Sequence, residues 1–321
     1  MLFTENLEEI IFNRHQLFQT DELIVLSGYL GPKPVQRLQN LPFNSRVIYG
    51  MYGSDGIQRP LHNSLTAIQN AVENVNIFYS NVPVHSKCYA WRNRGQIVHA
   101  LVGSANFSTN GLTTPFREIL AETTFDTFNP LNDYINKVLN NSQSCLEIGA
   151  IHIQEALQQQ EICSMTLLMD NGETHNASGL NWGFMANGQP SLKRGINDAC
   201  IPIRMEHIRA FPDYFPLKQV YPLNQDARGR AQRHNDAIEI IWDDGISMEG
   251  LLEGTQPTHE PFYPKQISSF PAKNQMGEYL RHRIGVPLGQ PVRRFHLDRY
   301  GRTDIAVSKI GDGVYKFDFS V

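Results

Sequence analysis

Two short patterns within HSKCYAWRNRGQIVHALVGSANFSTNGL, residues 85–112, have the residue types for phosphoryl chemistry. One is H-x-K, His85 with Lys87. The other is G-S-x-N, formed by Gly103, Ser104 and Asn106, with Ser104 seventeen residues after Lys87. A phosphodiester is an anion, and its displacement builds charge on the equatorial oxygens. Without a metal ion, fixed positive charge and hydrogen-bond donors must meet that charge. Lys87 supplies the charge, while the Ser104 hydroxyl and the Asn106 amide supply neutral donors on a turn opened by glycine. Histidine, with an ordinary pKa of about 6.5, attacks phosphorus when neutral and protonates a leaving oxygen when charged. Glu118, in PFREILAE, is the expected partner that orients His85 through its second ring nitrogen, with Glu122 as its competitor. His99, in IVHALVGS, reads as a core histidine.

Such groups need rigid elements to hold them. On a strand, His85 and Lys87 would be two apart and face the same way. The first half supplies the setting: ELIVLSGYL (22–30), SRVIYGMYG, VNIFYSN, HSKCYAW and QIVHALVGS read as strands. PVQRLQNLP reads as a short helix, and HNSLTAIQNAVEN (62–74) as a longer one with Leu65, Ile68, Ala71 and Val72 on one face. LNDYINKVLNN and HIQEALQQQEI read as later amphipathic helices. Alternating strands and helices predict an α/β layered domain. After the polar run from Gln154 to Glu161 the texture changes. SMTLLMD, ETHNASGLNWG, INDACIPIR, AIEIIWDDG and SMEGLLEGT read as short strands between NG, DDG and EGT turns. One helix is expected among them, GEYLRHRIGV (277–286), with Tyr279, Leu280, Ile284 and the Arg283 stem inward. DIAVSKIGDGVYKFDFSV closes the chain as a hairpin. The second half is therefore expected to be a mostly-β, barrel-like domain, with domains at 1–163 and 164–321.

The bulk composition bounds the rest. A chain of 321 residues suits two domains of about 150 residues each. No run of about 18 apolar residues exists to span a membrane, and MLFTENLEEIIFNRHQ lacks the layout of a signal peptide, which points to the cytoplasm. Four cysteines without a C-x-x-C pair leave no zinc set and no disulfide framework, and the eleven histidines lack metal-ligand spacing. Neither a metal nor a cofactor is expected. Net charge is −4 overall. Residues 1–163 carry 10 Lys and Arg against 14 Asp and Glu, and residues 164–321 carry 18 against 18. Arg281, Arg283, Arg293, Arg294, Arg299 and Arg302 crowd into the latter half. Nucleic-acid affinity follows such local fields rather than the total, although a solvated charged face has the same composition.

The paired H-x-K and G-S-x-N patterns resemble the signature of the phospholipase D superfamily. The resemblance implies that histidine forms a covalent phosphohistidine without metal. Sites of that superfamily hold two copies of the motif, and this chain has one. A homodimer through the N-terminal domain is therefore implied, with one shared site in which one His85 is nucleophile and the other general acid. Arg92 stands where the pattern often has aspartate, which argues against a lipase. The whole chain is similar to the NgoFVII-type restriction endonucleases, which are BfiI-related. These fuse a phospholipase D-like nuclease to a mostly-β pseudobarrel of the B-three type. SGLNWG, RGINDACIPI, KQISSF, MGEYLRHRIGVPLG and RYGRTDIAV carry that second match.

In such domains two arms enter the major groove. The first arm would comprise Asn181, Trp182, Lys193, Arg194 and Asn197, and the second Lys265, Gln266, Ser268, Lys273, Asn274 and Gln275. Their side chains suit base edges and phosphates, although loops are polar in any case and Trp182 could be core. Arg281 and Arg283 are expected to flank the arms and grip phosphates, while RYGRTD could instead tie down the final hairpin. The resemblance implies sequence-specific, metal-independent hydrolysis of double-stranded DNA by a type II restriction enzyme. Two rivals stay open: a non-specific phospholipase D-type nuclease or phospholipid hydrolase, and a DNA-binding module that cuts only with an ATPase or helicase subunit. A lipid substrate would call for an apolar amphipathic loop near the site, and none is evident. A neighbouring DNA methyltransferase gene would favour restriction.

Overall fold

The run ELIVLS lacks a polar face because both sides of its strand are covered, as in buried parallel sheets. The computed structural model describes residues 1–148, 153–154, 161–218, 220–225, 231–233, 235–258 and 261–321. The chain forms two compact units, Met1–Gln159 with Ile310–Val314, and Gln160–Lys309 with Tyr315–Val321.

The first unit runs β1 (Leu2–Phe3), α1 (Leu7–Asn13), β2 (Glu22–Ser27), α2 (Pro32–Arg37), β3 (Asn44–Tyr49), α3 (Tyr52–Asp55), β4 (Ile57–Gln58) and α4 (Arg59–Ala71). It continues through β5 (Val75–Ser80), β6 (Lys87–Asn93), β7 (Gln96–Gly103), α5 (Thr109–Thr113), β8 (Leu120–Glu122), α6 (Phe128–Asn140), β9 (Ser142–Ser144) and β10 (Ile153–Gln154). Eight strands form one sheet in the order β1-β8-β7-β6-β2-β3-β5-β9. Strands β2, β3 and β5 are parallel, and β6 runs antiparallel to β2 and to β7. Ile24 and Leu26 of β2 cluster with Ile135 and Val138 of α6, while Leu23 and Val25 on the opposite face are equally buried. This is the expected α/β layered architecture.

Helices α1, α3 and α5 stand where none was expected, and three of the expected elements differ in detail. Helix α4 starts earlier and ends at Ala71, so Leu61, Leu65 and Ile68 make its buried face and Ala71 is exposed. His85 precedes β6 rather than lying on it. The helix expected at HIQEALQQQEI is replaced at Ile153–Gln154 by a strand parallel to β4, while residues 152 and 155–160 of it lie outside the described residues.

The second unit is mostly β. Its elements are β11 (Cys163–Thr166), β12 (Ile201–Pro202), α7 (Met205–Ala210), β13 (Val220–Gln225), β14 (Ala231–Arg233), β15 (Asp236–Trp242) and β16 (Ser247–Glu253). There follow β17 (Gln266–Ser269), α8 (Asn274–Ile284), α9 (Arg294–Tyr300), β18 (Asp304–Gly311) and β19 (Val314–Asp318). Seven strands make a nearly closed, barrel-like sheet in the order β11-β18-β19-β15-β16-β17-β12. Ile238, Ile240 and Trp242 of β15 meet Leu280 and Ile284 of α8 in its core. ETHNASGLNWG holds a short turn of helix at Gly179–Asn181 instead of a strand, and INDACIPIR contributes only two strand residues.

In this unit two helices, α7 and α9, appear where none was expected. Each begins with an unusual box: the Arg204 N–H donates to Nδ1 of His207 at 3.1 Å, and the Arg293 N–H to Nδ1 of His296 at 2.9 Å. Histidine here does what Glu or Gln does in the ordinary capping box, so neither start carries the usual sequence signal. Among the described residues no helix is long and apolar enough to cross a membrane.

Candidate active site and DNA-facing surface

Strand pairing brings the chemical residues to one end of the first sheet. Lys87, which opens β6, pairs with Gly103, which ends β7. The carboxyl end of β2 lies beside them, because Leu26 pairs with Cys88. The loop after β7 is then pinned from below. Buried Tyr89 donates its hydroxyl to Ala105 O at 2.7 Å, and the Phe107 N–H donates to Ser27 Oγ at 2.9 Å. Ser108 caps α5 by accepting the Gly111 N–H at 3.1 Å.

His85, Lys87 and Asn106 converge there. The Lys87 ammonium sits 3.1 Å from both His85 ring nitrogens and donates to His85 O at 2.7 Å. It is only 6% exposed, and burial lowers its pKa while the Glu118 charge acts to raise it. His85 itself is exposed. The Asn106 Oδ1 accepts the Tyr29 N–H at 3.3 Å, which turns its NH2 group away from the backbone and leaves it as a donor. Ser104 Oγ accepts the Ile119 N–H at 3.1 Å, so its own hydrogen is free to be donated. One cation, Lys87, and one neutral donor, Asn106, beside an exposed imidazole can bind an anion and present a nucleophile to it, with the Ser104 hydroxyl on the same loop.

Glu118 does not take the expected place beside His85. No hydrogen bond joins the two; its carboxylate lies 3.5 Å from Arg117 Nε and acts on Lys87 through its charge. Glu122 is engaged elsewhere, in an ion pair with Arg14 and 3.8 Å from His99 Nε2. His99 is a packed histidine, as expected: it accepts from Arg14 Nε at 3.1 Å, and burial first, then Arg14, push its pKa down to about 4.

The residues beneath the site, Ser27-Gly28-Tyr29, were not expected from the sequence. A Cβ built on Gly28 would stand 3.1 Å from His85 Cδ2, 3.3 Å from Lys87 Nζ and 3.4 Å from Asn106 Oδ1. Gly28 is thus the floor of the cradle, and the only signal for it was a glycine closing an apolar run. Gly28→Ala is expected to slow cleavage several-fold, by about 10-fold at most, by displacing His85 and Lys87 by tenths of an ångström. The unfolding midpoint should stay near wild type. A wild-type single-turnover rate in this variant would show that the cradle is not tight.

In the second unit the arm residues separate into two sets. Asn181, Asn197, Gln266, Ser268 and Arg281 are buried. Asn181 staples its turn to Val292, accepting the Val292 N–H at 2.7 Å and donating to Val292 O at 2.8 Å. Asn197 accepts the Gly289 N–H at 2.7 Å. Gln266 bonds Glu253, and both Gln266 and Ser268 belong to β17 rather than to a loop. Arg281 donates to the carbonyls of Asn197, Gly277, Leu180 and Gln290 at 3.0–3.1 Å. Arg283 is held by Asp243 at 2.6 and 2.8 Å. Arg302 reaches Asp318 at 3.0 Å and Ser320 O at 2.8 Å, which makes RYGRTD a tie for the final hairpin. These groups are spent on the fold: Asn181, Asn197, Gln266, Ser268, Arg281 and Arg283 are corrected from DNA-facing to structural, and RYGRTD takes the structural one of its two expected roles.

The remaining set lies at the surface. Lys193, Arg194, Lys265 and Gln275 are exposed, and Trp182, Lys273 and Asn274 are half-buried. The Arg194 guanidinium lies 4.3 Å from the Trp182 ring centre and Lys273 Nζ 5.1 Å from it. Cations of both expected arms therefore share one indole. Lys273 also pairs with Glu253, and Asn274 donates to Glu278 at 3.0 Å.

The comparisons with known proteins follow this division. Residues 5–154 match the model of the NgoFVII restriction endonuclease N-terminal PLD domain, PLD being phospholipase D. Residues 155–311 match that of the NgoFVII C-terminal B3-like DNA-binding domain. No curated protein matches the chain. Among solved structures, NucT from Helicobacter pylori is 15% identical, with 45% of this chain and 97% of that one covered and a TM-score of 0.33. A phospholipase D family member, Nuc from Salmonella typhimurium, is 11% identical, with 43% and 87% covered and a TM-score of 0.32. Polyphosphate kinase from Porphyromonas gingivalis is 12% identical, with 43% and 21% covered and a TM-score of 0.30. The two domain models meet end to end along the sequence, and the chain belongs to the family of NgoFVII restriction endonucleases.

Proposed function

We propose that the protein is a sequence-specific endonuclease for double-stranded DNA that works without a metal ion, with His85 as nucleophile. The observation that carries this reading is the Lys87 ammonium 3.1 Å from both nitrogens of an exposed imidazole. A ring nitrogen of His85 attacks phosphorus, and the bond from phosphorus to the leaving sugar oxygen breaks. That oxygen takes a proton from the partner's His85, which is the general acid of a shared site. Water then attacks the phosphohistidine and gives its proton to the partner's His85, while the N–P bond breaks and His85 is restored. Lys87, Asn106 and Ser104 meet the charge on the phosphoryl oxygens, and Glu118 balances Lys87. Exposed Val82, three residues before His85, and exposed Ile119, bonded to Ser104, support a second copy closing over this end of the sheet. Trp182, Lys193, Arg194, Lys265, Lys273, Asn274 and Gln275 form the surface that reads and grips DNA.

Plasmid incubated with the protein in excess EDTA tests this reading. Discrete fragments are expected. Cleavage that appears only after magnesium is restored, or a smear without preferred sites, would contradict it.

A further inference from the structure

His85 needs something to fix its ring, and Glu118 does not supply it. Its hydrogen-bond partner is Lys87, 3.1 Å from both ring nitrogens. Above the Gly28 floor the ring also has an aromatic contact: Tyr29 meets it edge to face, with centroids 6.0 Å apart and planes at 77°. Such pairs prefer this geometry and hold it.

Tyr29 is fixed at both ends. Its backbone N–H donates to Asn106 at 3.3 Å, and its carbonyl accepts the Ser27 hydroxyl at 2.6 Å. Its own hydroxyl donates to Asp55 Oδ2 at 2.7 Å, and Asp55 Oδ1 accepts from Ser54 at 2.7 Å. These bonds from Ser54 and Tyr29 keep the Asp55 carboxyl below the usual carboxylate range, and the Tyr29 hydroxyl is pushed up to about 12, chiefly by Asp55. The hydroxyl thus stays a donor and the tether stays closed at neutral pH. Asp55 ends α3, the short helix after β3, so the tether joins the ends of two neighbouring parallel strands.

We infer that Tyr29, tethered through its hydroxyl to Asp55, is the positioning residue that sets the orientation of the His85 imidazole. The inference rests on the nucleophile role proposed above. Tyr29 packs on the ring of the reacting group and spends its hydroxyl on Asp55, so its loss is expected to misaim the nitrogen. Misplacement of about 1 Å costs roughly 100-fold in rate.

Single-turnover cleavage at saturating DNA tests this, with the Kd for DNA and the unfolding midpoint measured alongside. Tyr29→Ala is expected to lose about 100-fold in rate. Tyr29→Phe and Asp55→Ala, which each cut the tether, are expected to lose about 10-fold, and Asp55→Asn, which still accepts the hydroxyl, to recover most of it. The Kd should hold within about 2-fold throughout, since the DNA-gripping surface is untouched. Tyr29→Ala at the wild-type rate, a loss that falls entirely in Kd, or Asp55→Asn as slow as Asp55→Ala would overturn the inference. A wild-type protein that cuts nothing would instead count against the nuclease reading. The orientation is then decided by NMR. The carbon-bound His85 ring protons, identified by their loss in His85→Ala, should carry a ring-current shift that vanishes in Tyr29→Ala. A shift that survives would overturn the inference whether or not the protein cuts.

Discussion

His85→Ala is expected to slow DNA cleavage by about 10⁵-fold or more at saturating substrate, with DNA affinity within about 2-fold of wild type. The effect is large because a shared site loses two groups at once, the nucleophile of one subunit and the general acid of the other. General acid catalysis alone contributes about 100- to 10,000-fold, and a missing nucleophile closes the covalent route altogether. Affinity should hold because the groups proposed to grip DNA lie in the second unit. Stability should hold as well, since His85 is exposed and surface substitutions usually change stability by no more than about 0.5 kcal/mol. Rapid-quench cleavage and a binding titration on the same preparation separate these effects. A variant that still cuts within about 10-fold of wild type would remove His85 from the mechanism.

The second large effect is on folding. Arg281 is 1% exposed, and burial pushes its pKa down to about 10, so it remains charged at neutral pH. Its guanidinium satisfies four carbonyls from four places in the second unit: Leu180, Asn197, Gly277 and Gln290. Helix α8 comes so close to the first of the expected arms that a Cβ on Gly277 would stand 1.7 Å from Asn197 O. Arg281→Met keeps the aliphatic stem and takes this donor from the carbonyls of Leu180, Asn197 and Gln290, while Gly277 O keeps its helical partner. A single orphaned buried acceptor costs about 1–3 kcal/mol, and here several lose the same donor together. The variant is therefore expected to unfold in its second unit at a much lower urea concentration, with a loss of about 3 kcal/mol or more. Had Arg281 gripped phosphate instead, Arg281→Met would weaken DNA binding uniformly and flatten its salt dependence while leaving the unfolding midpoint in place. The two roles give opposite pairs of results.

What the sequence could and could not announce follows from distance and from chemistry. His85, Lys87, Ser104 and Asn106 fall in a single hairpin, so their spacing alone proposed a site, and the strands around them were legible from apolar runs. Gly28 and Tyr29 belong to the same site but lie more than fifty residues upstream; only the pairing of β2 with β6 brings them beneath it. Asp55 arrives through yet another strand end. In the second unit the difficulty was chemical. An asparagine that staples a turn, such as Asn181, and one that reads adenine carry the same amide. Polarity in a loop therefore did not separate Asn181 and Asn197, which are buried, from Asn274 and Gln275, which are not. The arginine cluster misled for the same reason. Arg281, Arg283 and Arg302 bind carbonyls and aspartates of their own unit, and a guanidinium fits those partners as well as it fits phosphate.

The most direct test of the central claim is to look for DNA attached to the protein. Internally ³²P-labelled duplex, quenched in alkali during a single turnover and run on a denaturing gel, should show label moving with the wild-type chain. That label should be lost on brief acid treatment, as a phosphorus–nitrogen bond requires, and should be absent from His85→Ala. Cleavage that runs to completion with no protein-bound label at any time, or label that persists in His85→Ala, would contradict a covalent mechanism through His85.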